Sequence, residues 1–219
     1  MQPAIHVKFE YSDNIMTIRK WFNGLDNVFA ADFETAPKQT RKEREVLAYR
    51  LDHRRLTPEQ TRIILQQYLA NGLSHPSLTV VTHLSIACAE DEAKVIVCSN
   101  DAVRKVVFDF LTTTEKKQIW HNCAFDFKHI FHNTHRFPKN FIDTMLLCRV
   151  LLNNANGAKN EVGLKTLMGY AYGSWAVAKD SFVLEEMWDE KMLQYAAVDS
   201  AATYKLYKDI TSEVGSEPA

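Results

Sequence analysis

Charge of one sign is what this chain lacks most plainly: 26 Lys and Arg stand against 27 Asp and Glu, a formal net charge of −1. No global basic field is present to coat a polyanion. Paired cysteines are missing too. Cys88, Cys98, Cys123 and Cys148 form no C-x-x-C and no zinc-finger spacing, and their neighbours are mostly apolar. They are expected to be buried thiols in a reducing compartment. Met1 to Glu10 lack the apolar core of a secretion signal. No apolar run approaches the roughly 20 residues that span a bilayer, so a soluble, cytoplasmic protein is expected. Nothing repeats and no low-complexity linker divides the chain. With 219 residues, 46% of them hydrophobic, the simplest expectation is one domain, 1–219, with a sizeable core.

What is present begins with an apolar run at 28–33 that reads as a buried strand, with Asp32 and Glu34 at its C-terminal end. Residues 78–88 and 95–98 are β-rich, and Glu90-Asp91-Glu92 between them suits a turn. Asp101 can cap a helix running to about Leu111, and a short strand follows at 118–121. Phe127, Ile130 and Phe131 recur at helical spacing, which starts a helix near Asp126. Beyond Asp143, itself a candidate N-cap, the pattern is helical to about Asp209, and 211–219 is expected to be a disordered tail. The whole predicts an α/β fold, a mixed sheet covered by helices. Between the first two of these predicted strands lies a stretch of another kind. Residues 36–62 hold eight Lys/Arg against four Asp/Glu, and Thr57-Pro58-Glu59-Gln60 is a helix start with Asn71-Gly72 as its stop. A basic helical insertion over 36–72 is expected, either a solvated hairpin or an arm that tracks phosphates or a partner.

Three short clusters carry chemistry: Asp32-Phe33-Glu34, Asn122-Cys123-Ala124-Phe125-Asp126 and Tyr195-Ala196-Ala197-Val198-Asp199. Asp32 and Glu34 are two apart and share one face of a strand. Tyr195 and Asp199 are four apart and stack on one face of a helix. Carboxylates converging from separate elements suit hard divalent ions, which want oxygen ligands. Two such ions roughly 3.5–4 Å apart stabilise the entering and departing oxygens of a phosphodiester displacement. A tyrosine hydroxyl one turn from a ligand can orient the attacking water. Its unperturbed pKa of about 10 makes it a poor base by itself.

In that order the clusters resemble the three exonuclease motifs of the DEDD superfamily of 3′–5′ exonucleases, tyrosine subclass. Proofreading domains of DNA polymerases and RNase D-like enzymes belong to that group. The resemblance covers about 28–207, and Gln194, where the histidine subclass places its base, agrees with the tyrosine assignment. It implies an RNase H-like fold, two Mg²⁺ or Mn²⁺ ions, and release of mononucleotides from a 3′ end. Asp32, Glu34, Asp126 and Asp199 would then be metal ligands, Tyr195 would position the water, and Asn122 would hold the substrate strand. Single-stranded or frayed DNA is the first expectation for substrate, with a stand-alone nuclease or a polymerase-associated proofreading subunit as the setting. An RNase D-like exoribonuclease and an inactive scaffold module are the alternatives. Asp143-Thr144-Met145 resembles a segment of the polymerase I and RNase D branches, while the insertion departs from the usual short connection.

Each cluster has an ordinary structural reading as well. Asp-x-Glu at a strand end is common, Asp126 could be an N-cap, and Tyr195 with Asp199 could be a core tyrosine and a solvated carboxylate. Phe33 is expected in the core, and Phe125 and Phe127 either there or under a terminal base. His121, His129, His132 and His135 form no organised zinc pattern. Lys128 and Lys165 lie near the motif elements and are candidates to touch phosphate.

Overall fold

The computed structural model describes residues 7–38, 57, 76, 79–151, 162–172 and 187–214. The expected insertion at 36–72 lies outside the described residues almost entirely, as do 215–219 of the expected tail.

Among the described residues, six strands form one sheet: β1 (Lys8–Ser12), β2 (Val28–Pro37), β3 (Thr79–Ala87), β4 (Glu92–Val97), β5 (Lys117–Trp120) and β6 (Phe141–Asp143). Their order across the sheet is β1-β4-β3-β2-β5-β6. β3 runs antiparallel to both neighbours, and the β1–β4, β2–β5 and β5–β6 pairs are parallel. The helices are α1 (Ile15–Gly24), α2 (Asp101–Thr113), α3 (Ala124–Thr134), α4 (Thr144–Leu151), α5 (Leu164–Tyr172) and α6 (Glu190–Val214). This mixed sheet flanked by helices is the RNase H-like arrangement.

The sheet has a core on each face. On one, Ile18, Trp21 and Phe22 of α1, Val107 and Leu111 of α2, and Phe127 and Ile130 of α3 pack against Phe29, Ala31, Phe33 and Trp120. On the other, Leu193, Ala196, Ala197, Ala201 and Ala202 of α6 pack against Val95 and Val97 with Met168 of α5 and Cys148 of α4. Strand alternation then decides where the acids go. With Phe29, Ala31 and Phe33 committed to the first core, Asp32 and Glu34 project toward α6. Four small alanines let α6 lie close against that face.

Several local expectations are corrected. Asp32 and Glu34 lie inside β2, not at its end, because pairing with β3 keeps the strand extended as far as Pro37. The α2 cap is Asn100, whose side chain accepts from Val103 N, and Asp101 is the first helical residue. α3 starts two residues before Asp126, at Ala124, so Asp126 lies in its first turn and is not its cap. α6 continues through Val214, so 211–214 belong to a helix. β1, α1 and β6 add to the elements that the sequence pattern predicts. The four cysteines are free thiols, three buried and Cys88 partly so. No helix among the described residues is long and apolar enough to cross a membrane.

Candidate active site

Asp32, Glu34 and Asp199 come together: each offers a carboxylate oxygen, and these oxygens lie within 4.8 Å of one another. Glu34 is buried, and Asp32 and Asp199 are partly so. Two come from alternate positions of β2 and the third from α6, whose start is capped by Asp189 Oδ1 accepting from Met192 N at 3.0 Å. Three like charges this close repel unless a cation sits among them, and hard oxygen donors of this number suit Mg²⁺ or Mn²⁺. The residues present fit such an ion.

The strand carrying Asp32 and Glu34 is held from β3. The register between β2 and β3 slips between Glu34 and Thr35, pairing Glu34 with His83 and Thr35 with Val81 and leaving Thr82 over. Such bulges re-aim side chains beside functional sites. Thr82 Oγ1 donates to the Glu34 carbonyl at 3.1 Å, and Ser85 Oγ to the Asp32 carbonyl at 3.4 Å. His83, fully buried, places Nε2 at 2.7 Å from the Met187 carbonyl, tying β3 to the segment that leads into α6. Burial pushes the His83 imidazole pKa down, which favours the neutral ring in this contact.

Asp126 is set apart from the three. It is 2% exposed, and its Oδ1 accepts from Phe33 N, the amide between Asp32 and Glu34, at 3.2 Å. Burial pushes its carboxyl well above the ordinary value; the Phe33 and Asp126 N–H groups and Lys128 pull it back, and Asp143 adds to the rise. Tyr195, 4% exposed, faces the cluster. Burial first, then the charges of Asp199, Glu34 and Asp32 and a hydrogen bond to Asp199, push its phenol up. These causes favour the protonated phenol. Lys165 Nζ donates to its Oη at 2.5 Å and lies 4.1 Å from the ring centroid.

Asn122 occupies the left-handed region, φ 64°, a conformation that asparagine tolerates better than most residues. Asp143 holds it there. Oδ1 of Asp143 accepts from Asn122 N at 3.0 Å and from Met145 N at 2.9 Å, and Oδ2 accepts from Cys123 N at 3.0 Å. The expected N-cap role for Asp143 is thus present, together with a long-range grip on the Asn122 turn. His121 Nδ1 meets Thr144 Oγ1 at 2.9 Å, and that hydroxyl donates to the Trp120 carbonyl at 3.1 Å. Burial moves the His121 pKa down to about 4, so the neutral ring with hydrogen on Nδ1 completes the brace. Phe33 and Phe127 are buried in the core, and Phe125 is partly exposed.

A family model described as a 3′–5′ exonuclease matches residues 74–215. The chain belongs to this 3′–5′ exonuclease family. The match spans Asn122, Asp126, Tyr195 and Asp199 and begins after β2, and the folded sheet brings Asp32 and Glu34 to the same place. No curated protein matches the chain in sequence. Among solved structures, the chain is similar to NrnC of Brucella melitensis bound to pGG: 16% identity, 97% of this chain and 83% of that one, TM-score 0.59. It is similar to Escherichia coli RNase D, described as an exoribonuclease involved in structured RNA processing: 12% identity, 95% of this chain and 46% of that one, TM-score 0.63. A third is RNase D of Trypanosoma brucei in complex with RNA U12: 13% identity, 93% and 62% coverage, TM-score 0.60. At these identities the likeness is one of fold. By family the chain is a 3′–5′ exonuclease.

Proposed function

We propose that the protein removes mononucleotides from the 3′ end of single-stranded nucleic acid, with two divalent cations held by Asp32, Glu34, Asp126 and Asp199. The observation that carries this reading is the convergence of the Asp32, Glu34 and Asp199 oxygens within 4.8 Å. The ions, when bound, acidify the attacking water and stabilise both oxygens of the in-line displacement. Asp32, Glu34 and Asp199 supply the oxygen ligands, and Asp126 stands beside β2 to serve the second ion. Its bond to Phe33 N ties the first turn of α3 to β2 between the two carboxylate-bearing residues. Tyr195, kept neutral, orients the water by hydrogen bond. Asn122, clamped at its amide by Asp143, offers its side chain to the last nucleotide.

DNA stands first as substrate, in a stand-alone or proofreading setting. The RNase D structures, one of them with RNA bound, favour RNA as the second reading. Matched 5′-labelled DNA and RNA strands separate the two. With Mg²⁺ the preferred strand should shorten stepwise from its 3′ end, and chelator or Asp199→Ala should stop the ladder. A strand left at full length by fresh protein with Mg²⁺ and with Mn²⁺ contradicts the reading. The basic insertion at 36–72 is proposed as an arm for the nucleic acid or a partner, and a flatter salt dependence after neutralising Arg41, Lys42, Arg54 and Arg55 supports it.

A further inference from the structure

We propose that Lys165 is a positioning residue for the hydrolytic step, holding the Tyr195 hydroxyl in the orientation that aims the attacking water. The inference rests on the exonuclease reading above and goes beyond it, because none of the three motif clusters contains Lys165. It stands on α5, thirty residues from Tyr195 in the chain. Its ammonium nevertheless donates to Tyr195 Oη at 2.5 Å and rests 4.1 Å from the ring centroid.

An exposed lysine ordinarily keeps its ammonium in water on a flexible stem. To settle on a phenol, the cation must gain more there than hydration gives. Two features supply that gain: the face of the ring attracts a cation, and Asp32, Glu34 and Asp199 make the space beyond the hydroxyl strongly negative. The geometry has a consequence for the phenol. An oxygen that accepts from an ammonium turns its own hydrogen away from that cation, here toward Asp199, its hydrogen-bond partner. The line Lys165–Tyr195–Asp199 thus sets the torsion of the phenol O–H bond. With Asp199 engaged by a cation, that hydrogen remains aimed into the cluster, where the water must sit. Without Lys165 the hydroxyl rotates freely and its hydrogen is shared among several acceptors.

The test is a double-mutant cycle on a 5′-labelled single strand with Mg²⁺, using Lys165→Met, Lys165→Arg, Tyr195→Phe and the Lys165→Met/Tyr195→Phe pair. Lys165→Met should lower kcat on the order of 10²-fold, the usual cost of a misplaced catalytic group, with KM changed by less than about threefold. The double variant should be no slower than Tyr195→Phe alone, and Lys165→Arg should recover part of the loss. The rise in melting temperature on adding Mn²⁺ should match that of the wild type, which a general loss of structure would not allow. A Lys165→Met variant with wild-type kcat overturns the proposal. So does a double variant slowed by the product of the two single losses, since Lys165 would then act on the substrate directly. Wild-type protein no more active than Asp199→Ala removes the exonuclease reading and this proposal with it, a result distinct from an active wild type indifferent to Lys165.

Discussion

Asp143→Ala tests how the substrate-side turn is built. The substitution removes the acceptor of three backbone N–H groups, those of Asn122, Cys123 and Met145, at 3.0, 3.0 and 2.9 Å. Hydrogen bonds to a charged acceptor contribute about 1.5–3 kcal/mol each, and an orphaned buried donor costs about 1–3 kcal/mol. The bond from Cys123 is fully buried, whereas those from Asn122 and Met145 are only partly so and can turn to water. Losing the N-cap of α4 adds about 1 kcal/mol. Relief of the repulsion that Asp143 exerts on Asp126 works the other way. The net loss should be about 3 kcal/mol, and at ~2–4 °C per kcal/mol for a chain of this size the melting temperature should fall by about 6–12 °C. Asp143→Asn keeps one carbonyl acceptor and should lose less. Activity measured well below either transition should still drop, because Asn122 no longer has a reason to stay at φ 64°. Calorimetry on the three proteins, with turnover on a labelled strand at low temperature, decides it. An Asp143→Ala protein melting within about 1 °C of wild type would refute the argument.

Two further predictions concern the same site. Asn122→Gly keeps the left-handed backbone without strain, so it should melt near the wild type yet turn over slowly; full activity would remove the Asn122 side chain from substrate binding. Asp126→Asn should raise the melting temperature of metal-free protein at neutral pH while abolishing turnover. The sign is set by a folded-state carboxyl pKa above the ordinary 3.8: its favourable contribution is complete below 3.8 and is lost as pH rises through the folded value. The gap between the two proteins should therefore close toward pH 4, and a gap independent of pH would contradict the assignment.

Much of this site is legible in the chain itself, because its parts obey short-range rules. Alternation along β2 puts Asp32 and Glu34 on one face, and a helical turn puts Tyr195 with Asp199. The sheet order then supplies only their meeting. The end of β2 is harder to read, since the apolar run stops at Phe33 while Glu34 and Thr35 are polar yet buried and still paired to β3. β1 carries alternating charge on a sheet edge and β6 has three residues, too little pattern for a period to show. The grip of Asp143 on Asn122 and Cys123, 21 and 20 residues away, and that of Lys165 on Tyr195 depend on tertiary placement that no local spacing encodes. Spacing gives His121 no role, since it belongs to no organised metal pattern, and its use as a neutral brace requires Thr144 beside it.

The central claim is that three carboxylates from β2 and α6 form a seat for divalent cations. Diffraction from crystals soaked in Mn²⁺, recorded at the manganese absorption edge, tests it most directly. Anomalous density should appear among Asp32, Glu34 and Asp199, with a second peak on the Asp126 side, and should vanish in Asp199→Ala. Ordered carboxylates with no peak between them, in crystals whose protein still degrades a labelled strand, would contradict it.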